Sequence, residues 1–384
     1  VKSVCLADLV SGAGSRAGAS PDLPVYSVTK HAGFVPSLEY FKKQVFSRDV
    51  QGYKVVQPGD FAYATIHLDE GSIGIAPEAG LISPMYTVFR ANASMVDSGY
   101  LLRYLKSPRA LAEYTNLGKG AIHRRKAISL AALGALAVPL PSLTEQRRIA
   151  AILDRADAVR VRRRQVLGHL DSLAQSIFSD MFSRLPHKTR LRDVGVDFLS
   201  GKNVVAEGLD EHECNRVIKV SAISGGSFLS TESKAMPRDY APPEDHRIRR
   251  GDVLFGRASG SLALLGATAT VDVDPENLFL PDKVWRLQLR DDSPLTLAFV
   301  HGLLRSTSAR SFIRHNASGA TGVRNIAKSK LLDYMAPLPQ LAQQHEFADR
   351  MKALDRSSSA ARRARSADEE LFASLQSRAF RGEL

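Results

Sequence analysis

The sequence has little cysteine: its 384 residues include two, Cys5 and Cys214. Neither stands beside a second cysteine or a histidine pair at metal-ligand spacing, so no disulfide framework and no structural zinc is expected. Long apolar runs are missing too. The longest, ISLAALGALAVPLP from Ile128, is too short to span a bilayer and is broken by Gly134 and Pro139. Nothing at the start reads as a secretory leader, so the reading is a cytoplasmic, nucleoid-associated protein with no membrane partner. Acidic residues are in the minority, with 40 Asp and Glu against 52 Lys and Arg, a net charge of +12. Such an excess favours a polyanionic partner, and nucleic acid is the first candidate.

The motifs of nucleic-acid enzymes are also lacking. GVDFLSGKN from Gly195 comes near a phosphate-binding loop, but its spacing is one residue too long and Asn203 stands where a metal-binding hydroxyl is needed. It is read as an ordinary glycine turn. GAGSRAG at Gly12 does not fit the dinucleotide fingerprint. APPE at Ala241 lacks the flanking groups of an amino-methyltransferase tetrapeptide, and PDLP at Pro21 and PDKV at Pro281 lack the carboxylates of a magnesium nuclease. No histidine has another four positions on, which speaks against a zinc hydrolase. A non-catalytic chain with no metal and no cofactor of its own is expected.

What the sequence does have is the same junction twice. PLPSLTEQRRIAAIL begins at Pro139 and PLPQLAQQHEFADRM at Pro337, 198 positions later, with Leu140, Pro141, Gln146 and Ala150 matched by Leu338, Pro339, Gln344 and Ala348. QPGDFAYA around Gly59 matches RRGDVLFG around Gly251, and SIFSDMF ending at Phe182 matches SLQSRAF ending at Phe380. A period this long is a duplicated unit, not a solenoid. With 44% apolar and 24% charged residues each half can bury a core. Runs such as PVYSV, FAYATI, MYTVF, RVIKV, DVLFG and KVWRLQL read as strands, whereas YLLRYLKSPRALAEY and LAFVHGLLRSTSARSFI show helical spacing, so each half is mixed α/β.

A long helix is predicted after each junction. Ser142 and Glu145 form a capping box. Ile149, Leu153, Ala156, Leu167, Leu170, Ala174, Ile177 and Met181 then keep a seam that Arg160 and Arg163 interrupt. The second seam is Phe347, Met351, Leu354, then Phe372, Leu375 and Ala379; Gln343 and Gln344 replace the acidic cap, which removes the box. The polar run DRSSSAARRARSADEE from Asp355 reads as a solvated stretch. Roughly 40 residues of helix span about 60 Å. The two seams either bury each other as an antiparallel strut or pack separately on their own domains.

Before each junction lies a small, basic loop, NLGKGAIHRRKAIS from Asn116 and NASGATGVRNIAKSK from Asn316. Glycine admits a phosphate closely, and Lys, Arg, His and Asn side chains reach phosphates and base edges. A second surface follows each Gly-Asp turn. The DNA-contact candidates are therefore Thr65, His67, Lys119, His123, Arg124, Arg125 and Lys126 in the first half. In the second they are Arg257, Ser259, Ser261, Arg324, Asn325, Lys328 and Lys330.

The doubled PLP-x-L-x-x-Q junctions, EQRRIAAIL, the Gly-Asp turns and the closing SLQSRAFRGEL together resemble the DNA specificity subunits of type I restriction–modification systems, over essentially the whole chain. The resemblance implies two mixed α/β target recognition domains, 1–141 and 185–339, joined by two long antiparallel helices, 142–184 and 340–384, in a pseudo-two-fold repeat forming a coiled-coil spacer. It implies a bipartite double-stranded DNA target with a fixed spacer. The implied partners are two adenine methyltransferase subunits and restriction/translocase subunits, which would hold S-adenosylmethionine, ATP and Mg. Pro139, Pro141, Glu145, Gln146, Pro337, Pro339, Gln343 and Gln344 become the partner-binding candidates. A coiled-coil scaffold for proteins or RNA is the rival reading.

Overall fold

The Gly-Asp turns explain where the central strand of each half begins. Gly59 and Gly251 sit at φ +87° and +91°, a region where a side chain is strained. The following aspartate closes the turn: Asp60 Oδ2 accepts from Gln57 N–H at 2.8 Å and Asp252 Oδ2 from Arg249 N–H at 2.9 Å. The computed structural model describes residues 2–18, 22–41, 43–66, 68–117, 127–204, 215–237, 239–319 and 322–384. It divides into two units, Val1–Arg164 with Arg363–Leu384, and Gln165–Arg362.

In the first unit an antiparallel sheet runs in the order Val10–Gly12, Tyr86–Ala91, Phe61–Ala64, Ile73–Ile75. A five-stranded sheet runs Ser15–Arg16, Lys54–Val56, Gly80–Ile82, Val25–Thr29, Gly33–Pro36. The second unit repeats the first arrangement with Val196–Ser200, Val284–Leu289, Val253–Gly256 and Thr268–Thr270, and adds a three-stranded sheet around Arg216–Ile218. In each unit a short ladder ends on the junction proline: Ser3 pairs with Pro139, and Lys188 with Pro337.

Each stretch with helical spacing proves to be two helices, Ser98–Leu105 with Pro108–Leu117 and Leu297–Arg305 with Thr307–His315. The break has a local cause. Ser107 and Ser306 accept from the N–H groups of Ala110 and Ala309, and a side-chain cap starts a new helix.

The long helices are Leu143–Phe182 and Leu341–Arg381, and each gives one half to each unit. Within the first unit they run antiparallel, with Arg160 bonding Glu369 at 2.8 Å and Arg163 bonding Asp368 at 3.1 Å. The arginines that interrupt the seam are therefore its cross-helix ion pairs. Part of the polar run expected to be solvated supplies their partners, because a guanidinium at a half-buried seam needs a carboxylate.

The core of the first unit stacks Phe61 on Phe89 and buries four tyrosines, whose hydroxyls donate to the backbone carbonyls of Ile128, Pro139, Ala137 and Leu105. Burial pushes Tyr63 up to about 12. Phe380, near the end of the second long helix, packs edge-on against Tyr100 and Tyr104 in this core. In the second unit Phe178, Phe182, Phe299 and Phe347 form the matching cluster.

Candidate nucleic-acid interface and partner surfaces

In the second unit the fold draws both candidate loops together. Ala258–Ser259 pairs antiparallel with Arg324–Asn325, setting Ser259 opposite Arg324, and Ile326 N–H donates to Arg257 O at 3.0 Å. Arg257 Nε donates to Asp282 O at 2.8 Å while its guanidinium lies 5.7 Å from the Trp285 ring centre. That fixes the stem of Arg257 along the sheet edge. The Arg324 side chain is exposed and bonds the backbone of Gly319.

Two further lysines belong to this edge. Arg257 N–H donates to Lys283 O, which sets Lys283 beside Arg257, and Gly201 N–H donates to Pro281 O, which sets Lys202 opposite Pro281, two residues before Lys283. Both lysines are exposed. Neither was a DNA-contact candidate from the sequence, where Lys202 falls in the near-match to a phosphate loop and Lys283 opens a strand. The glycine-lysine pair was the one signal for Lys202, and only tertiary pairing brings it to the segment that carries Lys283.

Other candidates are engaged differently. Lys328 is tied down, with Nζ bonding Asp197 and Phe198 O, both at 2.7 Å. Its charge is neutralised within the unit, which weakens the case for it as a phosphate ligand. Asn325 holds the hairpin to Ser318, accepting its hydroxyl at 3.0 Å. The Ser259 hydroxyl accepts from Ser261 N–H at 3.1 Å, while Ser261 and Lys330 stand exposed.

The first unit repeats the loop contact, with Ile128 N–H donating to Thr65 O at 2.9 Å. The Thr65 hydroxyl donates to Met85 O at 2.7 Å. His67, Lys119, His123, Arg124, Arg125 and Lys126 lie outside the described residues.

The junction has a structural task. Gln146 is fully buried; its Oε1 accepts from Asp97 N–H at 2.8 Å, and its Nε2 donates to Met95 O and Pro141 O. Gln344 repeats this set on Thr296 N–H, Pro294 O and Pro339 O, also fully buried. Each amide ties the start of a long helix to the N-terminus of the first of the paired short helices, Ser98–Leu105 or Leu297–Arg305. Expected as partner contacts, both glutamine side chains instead point inward, because buried backbone groups need a hydrogen-bond partner. Pro139, Pro337 and Pro339 are buried with them, so they too are unavailable as contacts, and Pro141 is half-buried.

The capping box is divided between the copies. Glu145 N–H donates to Ser142 Oγ at 3.3 Å, but the Glu145 carboxylate turns to Arg148. At the second junction, where no box was expected, Gln343 Oε1 accepts from Gln340 N–H at 3.1 Å. A glutamine amide oxygen can serve this position as a carboxylate does.

Each unit also carries an equivalent groove between the C-terminal end of a long helix and the start of the second short helix. In the second unit Ser179, Phe182, Ser306 and Thr307 line about 450 Å³; in the first, Ser377, Phe380, Ser107 and Pro108 line about 300 Å³. Among the described residues no group of three or more potential metal ligands gathers, and no helix is long and apolar enough to cross a membrane.

No family model matches the chain. It is similar to the specificity subunit of the type I restriction enzyme EcoKI of Escherichia coli (strain K12), 22% identical over 317 residues, covering 76% of this chain and 66% of that protein. It is also similar to the StySPI specificity subunit of Salmonella potsdam, at 23% over 310 residues, covering 72% of this chain and 66% of that one. The chain thus matches just under two thirds of the length of these relatives. A third, the MjaVIII specificity subunit of Methanocaldococcus jannaschii, is 23% identical over 350 residues, covering 84% of this chain and 80% of that protein. Among solved structures, the type I S subunit of M. genitalium shares the fold with a TM-score of 0.55 at 12% identity, covering 99% of this chain and 96% of that one. A chain from a study of type I complex assembly and conformational transition gives 0.53 at 18%, covering 100% and 98%. In sequence and in fold, the chain resembles the DNA specificity subunits of type I restriction–modification systems.

Proposed function

We propose that the protein is a non-catalytic DNA specificity subunit whose two units each read one half of a split double-stranded target. One observation carries this reading: the same loop-on-loop hydrogen bond, Ile128 to Thr65 and Ile326 to Arg257, recurs in both units beside different side chains. Two readers are built alike and presented with different chemistry. Arg257, Ser259, Ser261, Arg324, Lys202 and Lys283 form the contact edge of the second reader; Arg324 and the lysines meet phosphates or base edges. The continuous long helices act as the ruler that holds the gap between half-sites constant.

The paired grooves suit two copies of one partner, the methyltransferase subunit, with a restriction subunit joining the assembly. S-adenosylmethionine, ATP and Mg belong to those partners, and the complex works in the cytoplasm on the nucleoid. The test is to co-express the chain with its neighbouring methyltransferase and map methylated adenines across the genome. A split motif with a fixed gap is expected. An unmodified genome with the complex in hand would instead favour a scaffold for proteins or RNA.

A further inference from the structure

The two units differ at one position where the repeat allows a direct comparison. Gln146 and Gln344 anchor equivalent backbone groups, so Arg103, six residues after Asp97, corresponds to Gly302, six after Thr296. On the long helices Asp154 and Asp157 correspond to Lys352 and Asp355, through the period that relates Pro139 to Pro337. In the first unit Arg103 spans from its short helix to the long one, bonding Asp154 at 2.7 Å and Asp157 at 3.0 Å. In the second unit the bridging side chain is missing. A Cβ on Gly302 would lie 2.4 Å from the Phe347 ring, so that ring has taken the place of the arginine stem.

Beyond the ring the space is not filled. A pocket of about 270 Å³ opens there, lined by Val253, Leu297, Phe347 and Met351 as an apolar wall and by the exposed Asp355. The cations that face it are engaged: Arg305 bonds Asp171 at 3.1 Å, and Lys352 bonds Asp349 at 3.0 Å. Asp355 has no ion pair among the described residues; although the residue is exposed, partial desolvation of its carboxyl holds it above the usual aspartate range, against the opposing pull of Arg305 and Arg362. His301 also lines the pocket. Its Nδ1 meets Thr270 Oγ1 at 3.3 Å, while Nε2 is buried without a hydrogen-bond partner. Burial keeps the ring neutral, lowering it to about 3, so it offers a hydrogen bond without a competing charge.

We propose that this pocket receives an arginine side chain from a protein docked on the second unit, its stem against Met351 and Phe347 and its guanidinium on Asp355, completing from outside the bridge that Arg103 makes within the first unit. An apolar wall, a carboxylate on the lining and an unused imidazole nitrogen together fit an alkyl chain with a planar, multiply donating head. The site stands on the internal comparison and does not depend on DNA recognition.

The test uses the full-length chain labelled at its methionine methyl groups, with Met351 assigned through Met351→Leu. N-acetyl-arginine-N-methylamide is titrated while the Met351 methyl resonance is followed by NMR, with the citrulline analogue, a neutral isostere, as control. The expected result is a saturable Met351 shift with at least tenfold preference for arginine over citrulline. Asp355→Asn should abolish that preference while circular dichroism stays unchanged. No saturable shift, equal response to both probes, or a preference that survives Asp355→Asn would each overturn the proposal.

Discussion

Arg160 on the first long helix lies 4.2 Å from the ring centre of Phe372 on the second while its Nε bonds Glu369 at 2.8 Å. One side chain thus makes a cation–π contact and an ion pair across the same seam. Removing either partner of a half-buried pair weakens the seam by a modest amount. A double-mutant cycle with Arg160→Ala and Glu369→Ala, read by urea unfolding, should give a coupling of about 1 kcal/mol that shrinks with salt. Additive single effects would mean the pair adds nothing to the joint.

Gln344, fully buried, satisfies three backbone groups. Replacing it with leucine keeps the volume but leaves an N–H and two carbonyls without their partner, each costing about 1–3 kcal/mol where no water enters. Gln344→Leu should therefore destabilise the second unit by about 3 kcal/mol, and Gln146→Leu the first by a similar amount. Hydrogen exchange resolves the two, since protection should fall first around Thr296 in one variant and around Asp97 in the other.

The basic edge makes a prediction about salt. Each phosphate that a lysine neutralises steepens the fall of log affinity with log salt by about one. Lys202→Ala and Lys283→Ala should each make that dependence shallower, with affinity falling alike on target and non-target duplexes. Arg324→Ala should instead relax preference at positions within one half-site. Fluorescence anisotropy on duplexes mutated in one half-site at a time separates the two behaviours.

His301 gives the second unit an acid sensitivity. Its folded value, about 3, lies below the ordinary imidazole value, so between the two the unfolded chain binds a proton that the folded chain refuses. Stability from this group is complete above roughly pH 6.5 and declines as pH falls towards 3, by at most about 1.4 kcal/mol per pH unit. Urea midpoints from pH 4 to 8 should show this slope in the native protein and a flatter one in His301→Gln. Parallel profiles would assign the acid sensitivity to other groups.

Much of the architecture was legible because it follows from periodicity. Ile149 and Leu153 are buried on the first long helix, as their spacing requires, and Phe347 and Ala379 on the second, but towards the end of the first helix Phe178 and Phe182 are the buried positions and the predicted Ile177 and Met181 are half-buried beside them. PVYSV, FAYATI and KVWRLQL form strands where alternation predicts them. The split of each helical stretch at Ser107 and Ser306 was less plain, because both sides of a cap carry the same helical pattern. The inward role of Gln146 and Gln344 could not be read at all. A buried amide and an exposed one look alike in sequence, and only the backbone that each meets distinguishes them. The same holds for Lys202 and Lys283, which join Arg257 through pairings between segments far apart in the chain.

The first unit takes Phe380 into the core built around Tyr100 and Tyr104, although the whole of the second unit intervenes in the chain. During synthesis, therefore, the amino-terminal unit emerges first, yet its core lacks Phe380 until the last turn of the second long helix has left the ribosome. The second unit, continuous in sequence, has everything it needs earlier. A message cut short just before Phe380 would leave the second unit's own sequence whole and take a core side chain from the first, so that a defect at the carboxyl end of the chain is felt in the unit that holds its amino end.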